Sequence, residues 1–283
     1  VVIASVFPDG LPPDLRLRLA DAGMVTLQGL DDTLSALSAA GRYPVLRAQV
    51  LADPESRLLP VLTKTSQPVI TLNEAEGKAL LAQHGVRATA HATGTAKEVI
   101  AAADSLGYPL AVKLLNADLV HKNRAGAVHL DIKDTVGVEQ AISAIRASVS
   151  RYEASLDTDH FLIERMIAAP HSEFIVGASY KPGIGHALVI GGGGTAVEEL
   201  KDFTTLLLPA SSVQIDEAVR GLRLARKRRL DERDIPTLVK AVSEIVELVT
   251  QYRDRLVELD VNPIILDAAG NCTAVDALVR MRS

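Results

Sequence analysis

Residues 111–128, Ala111 to Val128, read AVKLLNADLVHKNRAGAV. A short apolar run ends on Lys113, a polar loop carries His121, Lys122 and Arg124, and Gly126 opens a second apolar run. The pattern predicts two strands joined by a loop that holds cations and an imidazole. Such a loop suits phosphate, because lysine acts as a compact point charge on non-bridging oxygens. Taken singly, the residues are ordinary: a lysine at a strand end usually snorkels to solvent, and a lone histidine is usually structural. Their density on one loop carries the reading. A neutral imidazole at His121 can also accept a phosphoryl group as a nucleophile, which ammonium and guanidinium cannot.

The rest of the chain bounds what such a loop can serve. Its 283 residues are 48% hydrophobic, enough for one or two cores. Lysine and arginine total 30 against 35 acidic residues, for a net charge of -5. No global basic field exists, so neither nucleic acid nor a membrane surface is expected as a partner. The basic cluster Arg223, Arg226, Lys227, Arg228 and Arg229 reads as a solvated helix end and loop. Cys272 is the single cysteine, which excludes an intramolecular disulfide and a thiolate metal cluster and fits a reducing, cytoplasmic setting. It reads as a small apolar residue in a strand. No stretch approaches the length of an apolar membrane span, and the residues given show no signal-peptide pattern of charged start, apolar middle and small-residue cleavage site. Val1 to Ser5 reads as a strand with nothing before it to pair with, so the sequence is expected to be the C-terminal part of a longer polypeptide.

In order, Val1 to Val6 predicts a strand, Asp14 to Ala22 a helix ending at Gly23, Met24 to Leu27 a short apolar run, and Leu30 to Ala40 a helix stopping at Gly41. This β-α-β-α order implies parallel pairing, but roughly 50 residues provide too few strands to cover both sheet faces. Pro44 to Pro68 reads as a linker. Thr71 is expected as the N-cap of a helix, with Glu74 at N3 completing a capping box and Gly85 as the stop. Further on, Ala96 to Leu106 and Val136 to Ser148 read as helices. Leu110 to Leu115, Ala127 to Ile132, Phe161 to Ile167, Glu173 to Ser179 and His186 to Ile190 read as strands. Helical patterning returns at Asp216 to Ala225 and Ile235 to Tyr252. Two final strands, Leu256 to Asp260 and Thr273 to Val279, flank a turn at Asp267 to Gly270.

Two segments add chemistry. Gly191 to Gly194 directly follows a strand and leaves backbone amides free to face an anion without Cβ obstruction; it is neither a Walker A loop nor GxGxxG. Glu258, Asp260 and Asn262 alternate, so in a strand they share a face, and Asp276 comes from the next strand. An all-oxygen set with room for water and phosphate oxygens is what Mg²⁺ takes. Solvated carboxylates on an exposed sheet face would look the same, although Leu259, Val261 and Pro263 are interleaved with them.

Together, KLLNADLVHK (113–122), GGGGTAVEELKD (191–202) and ELDVNP (258–263) resemble the ATP-grasp half of NDP-forming acyl-CoA synthetases. These include the ADP-forming acetate-CoA ligases, relatives of the succinyl-CoA synthetase β subunit. The resemblance covers about Thr71 to Arg280. Residues 1–46 look like the end of the flavodoxin-like CoA-ligase domain that precedes the ATP-grasp region in fused members. It implies an α/β architecture with two α+β lobes: residues 1–49 as that domain end, 50–70 as linker, 71–160 as the N-terminal lobe and 161–283 as the C-terminal lobe. Lys113 and Lys122 would contact ATP or ADP phosphates. Glu164, Arg165 and Met166, running to Ile167, would form a hinge whose backbone reads adenine, with Glu173 facing the nucleotide and Gly192 and Gly193 near the phosphoryl path. Asn262 and Asp276 fall on magnesium ligands. Asp260 lies near the phosphohistidine docking site, and His121 matches a proposed second phosphate carrier.

The implied reaction is acyl-CoA + ADP + phosphate ⇌ acid + CoA + ATP, through an acyl phosphate and a phosphohistidine. The implied partners are the CoA-binding and CoA-ligase domains, in the same polypeptide or a partner subunit, within a homo-oligomer. The acyl group and the choice of ADP or GDP stay open. An alternative is a non-catalytic nucleotide-sensing domain, for example one fused to an acetyltransferase.

Overall fold

The computed structural model describes residues 1–52, 67–119, 122–194, 202–227, 230 and 233–283, in two compact units, Val1–Leu58 and Leu59–Ser283. In the first, β1 (Val2–Ser5) pairs in parallel with β2 (Val25–Gln28), Val2 opposite Val25, and α1 (Pro13–Asp21) connects them. Neither strand is buried at any position, as expected of a sheet too small to cover its own faces. Gly23, at φ 74, turns the chain out of α1. Gly41 does not repeat this: α2 runs Leu30–Ala52, past Gly41 and through Pro44. A glycine inside a helix costs only about 1 kcal/mol against alanine. It stops a helix where the backbone turns left-handed, and Gly41 keeps a negative φ. The expected linker therefore begins inside a helix; residues 53–66 lie outside the described residues.

The second unit is mixed α/β and contains two sheets. The smaller has the order β4 (His91–Thr95), β7 (His160–Arg165), β5 (Leu110–Leu114), β6 (Val128–Ile132), all antiparallel. Helices α4 (Ala96–Leu106) and α5 (Thr135–Tyr152) cover one face, and Val99, Leu110, Val112, Leu114, Ile145 and Ile163 form its core. β5 is buried at every position, so its apolar run needs no polar alternation.

The larger, seven-stranded sheet runs β10 (Phe203–Leu207), β9 (Gly185–Gly192), β8 (Pro170–Lys181), β11 (Leu256–Asp267), β13 (Ala277–Arg282), β3 (Val69–Leu72), with β12 (Cys272–Ala274) also on β11. One face packs on α6 (Ser212–Gly221) and α8 (Asp234–Gln251) through Phe174, Val176, Leu188, Leu259, Val261, Ile245 and Val249. Strand alternation then turns Glu173, Gly177, Glu258, Asp260 and Asn262 to the opposite face. Cys272 is buried in β12, and burial, then Asp234 and Asp267, push its thiol up to about 12, in keeping with an inert apolar role.

Three expectations are corrected. Thr71 is a strand residue, paired with Arg280; the capping box of α3 (Glu74–Gln83) is Asn73 with Glu76. A lobe boundary at 160/161 falls too early, because β7 is an inner strand of the smaller sheet, while β3 belongs to the larger. The single strand expected over 273–279 is broken at Val275 and Asp276, where Val275 donates to the Pro263 carbonyl at 3.0 Å and Asn262 to the Asp276 carbonyl at 3.3 Å.

Candidate active site

The site begins with that cap. Because Asn73 and Glu76 satisfy the start of α3, Glu74 is free to turn inward. Its Oε1 lies 2.6 Å from the Lys113 ammonium at the buried end of β5 and 2.9 Å from Lys78, one turn along α3. Glu164 of β7 holds the same two lysines, Lys113 at 2.6 Å and Lys78 at 2.5 Å, and accepts the Thr89 hydroxyl. Lys113 also reaches the Val275 carbonyl at 3.3 Å, exposed by the strand break. Lys122 pairs with the second oxygen of Glu74 and stands 3.7 Å from Asp276 Oδ1. The cluster is the seam between the two sheets, since β5 and β7 come from one and Asp276 from the other.

Burial alone would raise the Glu74 carboxyl, but Lys113, then Lys78 and Lys122, hold it well below the usual range. Burial opposes the charge of Lys113, yet Glu74, Glu164 and Asp276 push it upward. Both are ionised at neutral pH. Such ions survive in the interior only because each is matched, since an unpaired buried charge costs several kcal/mol.

The oxygen-rich side adjoins this seam. Burial, then Glu74, raise the Asp276 carboxyl above its usual range against the pull of Lys122 and Lys113. Burial, then Glu258 and Asp276, raise Asp260. Glu258 is engaged by Arg280 at 3.0 Å, and Asn262 is exposed. Among the described residues no three His, Cys, Asp or Glu side chains surround a common point. Asn262 and Asp276 are brought together by the Asn262 amide donating to the Asp276 carbonyl at 3.3 Å, and their side chains carry the oxygen donors that suit Mg²⁺, which binds one or two protein oxygens and completes its octahedron with water and phosphate.

Other predicted residues behave differently. The Gly192 amide donates to the Asp202 carbonyl at 3.0 Å and that of Gly193 to the Glu173 carbonyl at 2.6 Å. This corrects the expectation of free amides: these glycines supply space. A Cβ on Gly193 would lie 2.8 Å from the Glu173 backbone, and one on Gly192 3.1 Å from Leu224. The Asp202 carboxylate accepts the amides of Arg223 and Leu224, each at 2.7 Å, and fastens the short helix α7 (Arg223–Lys227). At the expected hinge, the amides of Arg165 and Met166 donate to the carbonyls of Ala90 and Pro109, each at 3.0 Å. The Glu164 backbone pairs on both sides, with His91 and Ala111, so its side chain rather than its main chain serves the site. His121 lies outside the described residues, as do residues 195–201.

Sequence reasoning missed Glu74, Lys78 and Thr89 as site residues. Glu74 and Lys78 are spaced i, i+4, which usually marks a solvated surface pair; nothing local signals that both are buried.

Lysines and carboxylates from the two sheets meet at this seam, and the chain belongs to the ATP-grasp domain family, whose model matches residues 64–281. It is 28% identical over 215 residues to the β subunit of ADP-forming acetate–CoA ligase II of Pyrococcus furiosus, covering 74% of this chain and 91% of that one. It is 27% identical over 214 residues to the ADP-forming 4-hydroxybutyrate–CoA ligase of Nitrosopumilus maritimus, covering 74% of this chain but spanning only 30% of that longer relative. Among solved structures it is similar to PH1788 from Pyrococcus horikoshii, with a TM-score of 0.70 at 26% identity over 75% of this chain and 92% of that one.

Proposed function

We propose that this chain is the ATP/ADP-binding and phosphoryl-transfer unit of an NDP-forming acyl-CoA synthetase, serving acyl-CoA + ADP + phosphate ⇌ acid + CoA + ATP through an acyl phosphate and a phosphohistidine. One observation carries it: Lys122 stands 3.7 Å from Asp276, so phosphate-type cations and magnesium-type oxygens meet at one seam. The similarity to ADP-forming CoA ligases supports the reaction.

In this reading Lys113 and Lys122 grip non-bridging phosphate oxygens and neutralise their charge, which is most of what a protein contributes to phosphoryl transfer. Asn262 and Asp276 hold Mg²⁺, which when bound supplies charge neutralisation on the same phosphates. Glu173 and the Glu164–Met166 strand end line the nucleotide, Gly192 and Gly193 keep the phosphoryl path clear of side chains, and Asp260 orients an incoming phosphohistidine. His121 serves as a second carrier. The CoA-binding and CoA-ligase domains act as partners, residues 1–49 being the end of one of them, in a cytoplasmic homo-oligomer. No described helix is long and apolar enough to cross a membrane.

Calorimetry with ADP or ATP, with and without Mg²⁺, tests this reading. Wild type should bind with Mg²⁺ dependence, Lys113→Ala should bind about 10-fold or more weakly, and Asp276→Asn should lose the Mg²⁺ dependence. A folded wild-type chain that binds neither nucleotide overturns it. For His121, acid-labile, base-stable phosphorylation should disappear in His121→Ala.

A further inference from the structure

Lys78 has no part in the reading above. Its side chain is 0% exposed, and its ammonium sits 2.9 Å from Glu74 Oε1 and 2.5 Å from Glu164 Oε2. Packing does not require a lysine there. Leu81, on the same helix, fills the core of the larger sheet, and a methionine would occupy the lysine's volume without the desolvation cost of a buried charge. What the charge does is decided by its partners.

Both carboxylates that hold Lys78 also hold Lys113, each at 2.6 Å. Lys78, Glu74, Lys113 and Glu164 thus close a ring of alternating sign, two charges of each kind. The groups facing the ring are Lys122, on the second oxygen of Glu74, Asp276 behind Lys122, and the Thr89 hydroxyl on Glu164. If Lys78 is removed, Lys113 faces two carboxylates with only Lys122 to share them. The surplus negative charge then lies beside the position a phosphate must take.

The geometry points to Lys78 as a positioning residue for Lys113: it balances Glu74 and Glu164, so that the Lys113 ammonium stays available to an anionic ligand instead of being held by unopposed carboxylates. The inference rests on the nucleotide-site reading and adds to it a residue that touches no ligand.

The test is the calorimetric affinity for Mg²⁺-ADP of wild type, Lys78→Arg, Lys78→Met, and Lys78→Met in a Lys113→Ala background, with folding of each followed by thermal denaturation. Lys78→Met should bind about 10-fold more weakly and Lys78→Arg within about threefold of wild type. In the Lys113→Ala background the methionine should change affinity by less than about twofold, because its effect passes through Lys113. A lysine kept for packing gives the reverse order, with methionine tolerated and the bulkier arginine harmful. The proposal is overturned if Lys78→Met binds like wild type or if its loss adds fully to that of Lys113→Ala. Failure of all Lys78 variants to fold also overturns it, by making the lysine a stability residue. Absence of binding by folded wild type fails the nucleotide-site reading itself, an outcome visible before any variant is compared.

Discussion

Lys113 of the smaller sheet and Glu74 of α3 meet at 2.6 Å, at 4% and 3% exposure respectively. Replacing Glu74 with alanine leaves Lys78, Lys113 and Lys122 short of a shared counter-ion. Glu74→Ala should lose about 3–5 kcal/mol in urea denaturation, and Glu74→Gln, which keeps one acceptor oxygen, should lose less. A loss close to zero for both would mean that the lysines find other partners.

Acid should act on the same residue. The folded-state pKa of Glu74 is depressed from its ordinary value of 4.5, so the unfolded chain binds the proton first. The resulting stability is fully present above about pH 4.5 and is lost as pH falls below it. Urea midpoints measured downward from pH 6 should drop less steeply for Glu74→Gln than for wild type.

Asp276 has the opposite sign. Its folded-state pKa is raised from 3.8 by burial and Glu74, so the folded chain binds the proton first and stability declines as pH rises through the region above 3.8. Asp276→Asn should therefore raise the thermal midpoint at pH 7 while abolishing Mg²⁺-dependent nucleotide binding, a trade of function for stability. An unchanged or lower midpoint would contradict this.

His186 is buried and neutral, with Nε2–H donating to the Leu256 carbonyl at 2.9 Å. Burial, and secondarily Arg282, depress its pKa from 6.5, so the unfolded chain gains a proton first as pH falls below 6.5 and stability falls with it. His186→Gln should flatten the stability profile between pH 6.5 and 5, and an unaltered slope would show that another group is responsible.

Gly193→Ala would drive a Cβ to 2.8 Å from the Glu173 backbone. Overpacking of this kind should cost about 1–3 kcal/mol in chemical denaturation and disturb the Gly193–Glu173 hydrogen bond. Gly221→Ala, where a Cβ meets nothing, is the matched control.

The strands with strong apolar runs, such as β5 and β8, and the helix α8 were legible because burial and periodicity act locally. So was the oxygen face, since Leu259 and Val261 dictate where Glu258, Asp260 and Asn262 point. Illegible features depended on partners distant in sequence. Thr71 looks like a helix cap until β13 pairs with it, Glu74 and Lys78 look like a surface pair until β5 and β7 cover them, and the glycine amides look free until Glu173 and Asp202 claim them.

The pairing of β3 with β13 joins Leu72 to Val279, nearly the whole length of the second unit. During synthesis α3, with Glu74 and Lys78, emerges well before Asp276 and β13, the strand that β3 pairs with. Contacts of such long sequence separation form slowly, and domains that depend on them expose unmatched groups meanwhile. The lysines of the seam should therefore stay hydrated until β13 has paired with β3, so that their desolvation waits on the closing of the larger sheet.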